Sequence, residues 1–223
     1  MQLKTILNRI EPYKSFVYCK VQMIDAGGIP RMEITIEPRA NGRPICSVCG
    51  RPAPGYDRQP QPRRFDYVPL WGMTVLFLYR MRRVNCATCG VKTERVPWAD
   101  GKCHLTTSYR WFLARWAKRL SWKETAAAFQ TTWDNVFRAV KHAVGWGLVH
   151  RDESGVTAIG IDEIQWSRGH NYLTLVYQID EHCKRLLWIG KERKADALRS
   201  FFRLLTDEAR AGIRFVCSDM WKP

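Results

Sequence analysis

Two short cysteine words constrain this chain more than anything else in it: Cys46-Ser-Val-Cys49-Gly50 and Cys86-Ala-Thr-Cys89-Gly90. In each, two thiolates three positions apart can reach one ion, and the trailing glycine permits the turn beneath it. Two such knuckles supply the four sulfurs of a closed tetrahedral site, the arrangement structural zinc requires. The 36 residues between Cys49 and Cys86 exceed a compact spacing, so the intervening segment must return the chain as a hairpin. Tyr67 to Val84 suits that task, being rich in β-formers with Pro69 and Gly72 near its start. Disulfides are the alternative, but the opening MQLKTILNRIEPYKSF lacks the apolar core and small-residue cleavage site of a secretory signal. A redox CxxC needs no matched second pair. Zinc is therefore expected on Cys46, Cys49, Cys86 and Cys89, replacing a hydrophobic core that so small a module cannot build. Cys19, Cys103, Cys183 and Cys217 read as buried packing residues.

Charge indicates the partner. The 223 residues carry 36 Lys and Arg against 21 Asp and Glu, a formal +15, yet 46% of them are hydrophobic, too apolar for a disordered basic tail. No run of about 18 apolar residues suggests a membrane span. The expectation is a soluble, folded, cytoplasmic protein. Residues 1–154 hold 25 basic against 12 acidic side chains and residues 155–223 hold 11 against 9, so the excess belongs to the first two thirds. A phosphate backbone is the partner such a distribution suits. Arg58, Arg63, Arg64, Arg80, Arg82 and Arg83 concentrate it in the segment between the knuckles.

Periodicity divides the rest. Phe16 to Ile24 and Arg31 to Glu37 read as a hairpin around an Ala-Gly-Gly-Ile-Pro turn. Over 107–120, Tyr109, Phe112, Leu113, Trp116, Ala117 and Leu120 recur at helical spacing. A second helix starts at Ser121, where Ser-Trp-Lys-Glu124 forms a capping box. After the turn at Gln130-Thr131, Thr132 caps a third helix with Trp133, Val136, Phe137, Val140 and Val144 inward and Asn135, Arg138, Lys141 and His142 elsewhere. This is the layout of a helix-turn-helix, with an ordinary three-helix packing unit as the bland alternative. Asn135 and Arg138 are expected near base edges, and Lys141, Lys123 and Arg119 near phosphates.

From residue 155 the order reads β-β-β-α-β: Thr157–Ile161, Asn171–Ile179, Arg185–Ile189, a helix over about 194–210, and Arg214–Cys217. Asp162 ends the first strand and Asp219 follows the last, 57 positions later. Were those strands neighbours, two carboxylates would stand side by side, the hard ligands Mg²⁺ or Mn²⁺ prefer. Equally, both could simply begin turns.

These parts in this order, with Ile159-Gly-Ile-Asp162-Glu163, Arg168-Gly169-His170-Asn171-Tyr172 and Ser218-Asp219-Met220-Trp221, resemble the ISL family of bacterial insertion-sequence transposases. The resemblance runs from about residue 40 to the end. It implies an RNase H-like domain with a DDE metal site in which Asp162 and Asp219 are the first two acids, binding Mg²⁺ or Mn²⁺. It also implies strand cleavage and joining at terminal inverted repeats, bound by the N-terminal modules, with homo-oligomerisation possible. The fold expected is α+β and multidomain. Residues 1–40 form a β-hairpin lead-in, 41–97 a β-rich zinc-ribbon-like module with its basic insert, 104–150 the helix-turn-helix and 155–223 an incomplete RNase H-like unit. Arg63, Arg64, Arg82 and Arg83 join the helical residues as expected DNA contacts.

Such transposases continue to a third acid, a Glu, whereas this sequence stops at Pro223, and Glu163 points to the opposite strand face from Asp162. The expectation is an N-terminal portion that binds zinc and DNA without catalysing transposition alone. A non-catalytic regulator or competitor derived from a transposase is the alternative, and a different metal nuclease with a DNA-binding front end a third reading.

Overall fold

The computed structural model describes residues 2–25 and 27–219, and divides into two compact units, one ending at Val149 and the other beginning at His150. The first holds helix α1 (Leu3–Ile10), strands β1 (Phe16–Asp25), β2 (Pro30–Pro38), β3 (Gly55–Arg58), β4 (Arg63–Leu70), β5 (Met73–Tyr79), β6 (Arg82–Cys86) and β7 (Gly90–Thr93), then helices α2 (Thr107–Trp116), α3 (Trp122–Ala128) and α4 (Trp133–Val149). Of these, α1 is absent from the sequence reading.

The strands form two sheets, ordered β1-β2-β5-β4 and β3-β6-β7. The larger one corrects the expected boundary at residue 40. The N-terminal hairpin does not stand apart from the zinc module, because β2 pairs in parallel with β5 from the insert between the knuckles, Ile34 opposite Phe77. The reason is burial. A lone hairpin has nothing to cover its apolar face, whereas here Phe16, Tyr18, Ile34, Ile36, Phe65, Val75, Phe77 and Tyr79 close over one core. Trp98 sits edge-on to Phe16, Phe65 and Tyr79 at ring separations of 4.9, 5.9 and 5.3 Å. The β4–β5 hairpin turns on Trp71 and Gly72, both at positive φ (52° and 77°), the conformation that matches strand twist in a two-residue loop. Glu11 ties this sheet to the helices: its carboxylate accepts from Tyr13 (2.8 Å), Tyr67 (2.5 Å) and Ser108 (2.5 Å) hydroxyls.

Helices α2, α3 and α4 are each capped by a local side chain. Thr106 Oγ1 accepts from Tyr109 N, Ser121 and Glu124 complete a reciprocal capping box, and Thr132 Oγ1 accepts from Asn135 N. Leu105, Tyr109, Leu113, Ala126, Val136 and Ala139 are their shared core. Two expectations are corrected. Helix α2 stops at Trp116, with Arg119 N and Leu120 N both folding back onto the Trp116 carbonyl, so Leu120 is not on its face. Helix α4 is rotated: Asn135, Val136 and Ala139 are buried, while Trp133 and Val144 are exposed. Gln130 takes a positive φ of 50° in the α3–α4 turn, a position glycine usually fills.

The second unit holds β8 (Ala158–Ser167), β9 (Asn171–Asp180), β10 (Cys183–Lys191), α5 (Ala195–Leu204), α6 (Asp207–Gly212) and β11 (Phe215–Ser218), with strand order β10-β9-β8-β11. The first three strands form an antiparallel meander, and β11 joins parallel to β8. Val156, Ile159, Val176, Leu187, Phe201 and Leu205 make its core. The single helix expected over 194–210 is two, because Leu205 turns extended and Thr206 caps α6 through Ala209 N. The first strand does not end at Asp162; it runs five residues further to Ser167, which places Asp162 in mid-strand. Of the four remaining cysteines, Cys19 and Cys217 are exposed rather than buried. No helix among the described residues is long and apolar enough to cross a membrane.

Candidate functional site

The four knuckle sulfurs converge. Cys86 ends β6 and pairs with Gly90 at the start of β7, so the second knuckle is the turn of a hairpin. Cys46 is bridged to Glu94 just beyond that hairpin, which brings the first knuckle against it. Gly50 and Gly90 both take positive φ (70° and 72°), as the trailing turns require. The Sγ atoms of Cys46, Cys49, Cys86 and Cys89 all lie within 4.8 Å of one another, with Cys49 and Cys86 at 3.6 Å. Sulfurs about 2.3 Å from one tetrahedral ion stand about 3.8 Å apart, so the cluster has the right size for zinc.

Its electrostatics point the same way. The backbone N–H groups of Cys49 and Val48 lower the Cys46 thiol, and those of Cys89 and Thr88 bring Cys86 down to about 7. Burial and then the neighbouring thiols push Cys89 up to about 12. Four thiolates this close cannot all ionise without a cation among them. The residues present therefore fit a closed structural Zn²⁺ site, and Zn²⁺ would lock two loops that share only a small core of Cys46, Ala53, Val84 and Cys86.

Behind the cluster lies a residue that the sequence reading missed. Glu94 is 2% exposed. Its Oε1 accepts from the Tyr79 hydroxyl (2.5 Å) and Arg82 N (2.9 Å), and its Oε2 from Arg82 Nε (2.9 Å) and Nη2 (2.7 Å). The pair joins the zinc-bearing sheet to Tyr79 of the larger one. An isolated acid in the basic run Lys92-Thr-Glu94-Arg95 was the only available signal.

This overturns Arg82 as a DNA contact, because the guanidinium is buried and fully engaged by Glu94 and the Gly42 carbonyl. Asn135 is corrected for the same reason: it is 9% exposed and donates from Nδ2 to Thr131 Oγ1 at 3.0 Å. Arg63 is half-buried and spent on the carbonyls of Gly101 and Cys103 (3.1 and 3.0 Å). Arg83 pairs with Asp57, and Arg138 with Asp134 at 2.9 Å, both on the surface. His142 packs edge-on against Trp111, and burial followed by the Arg110 charge lowers its pKa. Arg64, Arg119, Lys123 and Lys141 are exposed.

In the second unit, β11 and β8 are neighbours, with Val216 opposite Ile159 and Ser218 opposite Ile161. Asp219 and Asp162 are the next residues along these two strands, and both are exposed. Asp162 Oδ1 accepts from Glu163 N at 2.8 Å. Glu163 faces the other way, its Oε2 lying 3.8 Å from Arg193 Nε.

Comparison with known proteins places these observations. A family model described as a zinc-finger of transposase IS204/IS1001/IS1096/IS1165 matches residues 42–93, and an ISL3 model described as a transposase matches residues 159–223. The chain is 30% identical over 207 residues to the transposase for insertion sequence element IS1557 of Mycobacterium tuberculosis, covering 87% of this chain and 44% of that protein. It is 26% identical over 159 residues to the transposase for insertion sequence element IS1001 of Bordetella parapertussis, covering 71% of this chain and 39% of the relative. The chain thus spans less than half the length of the curated relatives it matches. No solved structure matches significantly. Both matched segments carry the same assignment and flank the helices in the order found in the sequence, so the chain is similar to the ISL3 family of insertion-sequence transposases in its zinc-finger and transposase segments alike.

Proposed function

We propose that this chain serves DNA transposition, binding the terminal inverted repeats of an insertion sequence through its first unit and contributing two metal-binding acids from its second. In this reading the Cys₄ ribbon holds zinc for structure, helices α3 and α4 act as a helix-turn-helix, and β8 to β11 form the opening part of an RNase H-like domain. The observation that carries it is the parallel pairing of β11 with β8, Ser218 opposite Ile161, a register whose next residues are Asp219 and Asp162. Two exposed carboxylates following that register match in kind the oxygen donors Mg²⁺ and Mn²⁺ prefer. Such ions, when bound, stabilise the attacking and leaving oxygens of phosphoryl transfer. Asp162 and Asp219 would hold them; the ion pair of Glu163 with Arg193 keeps that carboxylate on a different task.

The basic surface of the first unit supports DNA binding, with Arg64, Arg119, Lys123 and Lys141 as phosphate contacts and Arg138 as the remaining side chain for base edges. Gel-shift titration against the element's own ends and unrelated duplex is the test. Preferential binding of the ends, retained in Asp162→Asn, together with Mn²⁺ binding that Asp162→Asn and Asp219→Asn each weaken, is expected. Equal affinity for all duplexes, or Mn²⁺ binding indifferent to both substitutions, would overturn the reading.

A further inference from the structure

The corner between α2 and α3 carries a feature that the assignments above leave unused. Arg115, Trp116, Lys118 and Arg119 line a cleft of about 310 Å³. Arg115, Lys118 and Arg119, with Lys123 one turn on, are all exposed, and none forms an ion pair among the described residues. By contrast, Arg82 and Arg83 of the same unit are paired with Glu94 and Asp57. The acid nearest in sequence, Glu124, is held by the capping box, its Oε2 accepting from Ser121 N at 2.9 Å. The corner thus concentrates uncompensated positive charge.

In its midst Trp116 remains 39% exposed. Its indole leans on Phe129 at 5.4 Å and Phe112 at 6.3 Å, so one side is packed while the other faces the cleft. The backbone beneath is folded tightly by the Arg119 and Leu120 amides onto the Trp116 carbonyl (2.9 and 3.1 Å). A rigid aromatic plane ringed by free cations has the chemistry of a nucleotide platform: the ring stacks a base and the cations take the adjoining phosphates. Duplex bases are already stacked on one another, so a side chain can stack only on a base that is unpaired.

We propose that this corner binds an unpaired nucleotide next to duplex DNA, with Trp116 stacking on the base and Arg115, Lys118 and Arg119 contacting the backbone. This rests on the DNA-binding reading of the first unit and adds a preference for ends, tails or flipped bases over continuous duplex. Polarisation titrations would use a labelled mixed-sequence duplex and the same duplex with a short thymine tail. The tail is expected to tighten binding about fivefold or more, the effect of one stacked base. Trp116→Leu, which keeps an apolar side chain against Phe112 and Phe129, should erase the preference and leave duplex affinity intact, and Trp116→Phe should keep it. Changing Lys118 and Arg119 together to Gln should weaken both substrates and flatten the salt dependence by about two counter-ions. A 5-iodouracil tail should photo-cross-link to the peptide bearing Trp116 in the unaltered protein, a readout that does not depend on how the variants fold. Equal binding of tailed and plain duplex, a preference surviving Trp116→Leu, or a cross-link mapping elsewhere would overturn the platform while sparing the DNA-binding reading. No binding to either DNA would overturn both.

Discussion

The cysteine cluster and the proposed carboxylate site both draw on neighbouring strands, and they differ in every property that decides what a bound ion would do. Four sulfurs within 4.8 Å close the first, with Cys46 and Cys86 buried. Two exposed carboxylates make up the second, on β8 and just past β11. A closed sulfur set leaves an ion no free position and can only hold the chain together; an open oxygen set leaves positions for water and substrate. The environments follow. Behind the sulfurs stands the buried Arg82–Glu94 pair, whereas Asp162 lies on a strand whose outward residues Ile164 and Trp166 are also exposed.

The largest effect should come from breaking the closed set. Cys46→Ser should cut retained zinc from about one ion per chain to near none after dialysis, measured by atomic absorption. It should also leave the segment 42–93 open to protease, because metal binding in such modules is folding free energy of about 10 kcal/mol or more. If the variant kept its zinc, the cluster would not be the site.

Next comes the support behind it. Glu94→Ala strands the buried Arg82 charge and should cost about 3–5 kcal/mol in a denaturant melt of the first unit. Adding Arg82→Met should recover much of that loss. If Glu94→Ala alone were neutral, the two sheets of the unit would be held together by something other than this pair.

The smallest effect tests the second unit, whose acids sit in a more open setting. Asp180 accepts from the Thr157 hydroxyl and amide and from Gln178 Nε2 (2.7 Å), and the Thr157 hydroxyl is the main cause holding its pKa below the ordinary value. A depressed folded-state pKa contributes stability that is present above the unfolded value of about 3.9 and lost as pH falls through the folded one. Thermal melts of the second unit should therefore soften below about pH 4, and Asp180→Asn should remove that part of the acid sensitivity. An identical acid profile in the variant would show that another carboxylate sets it.

Local rules carried the sequence reading far. Capping chemistry placed Ser121, Glu124 and Thr132, since a cap needs only residues three positions apart. Knuckle spacing named all four sulfurs that meet, and β-former content with turn signals located β1, β2 and the strands of the second unit, though not β3 or β7. Charge composition could not separate a free arginine from a buried one: Arg82 and Arg83 are adjacent, yet β6 turns one to Glu94 and the other to solvent. Periodicity likewise misjudged the inner face of α4, where polar Asn135 is buried because Thr131 gives it a partner while Trp133 stays outside.

What the sequence determined by itself is whatever depends on near neighbours: the CxxCG turns, the helix caps, the hairpins and the basic excess of the first 154 residues. Only the tertiary structure decided that the N-terminal hairpin shares a sheet with the insert between the knuckles, that Glu94 neutralises Arg82, and that Trp116 stands exposed among unpaired cations. It also decided that β11 joins β8 in parallel, Ser218 opposite Ile161, one residue before Asp219 and Asp162. Each of these depends on which distant segment fills the space beside a residue. That choice is set by burial of apolar area and by pairing of buried charge, which act through space and leave no periodic trace along the chain.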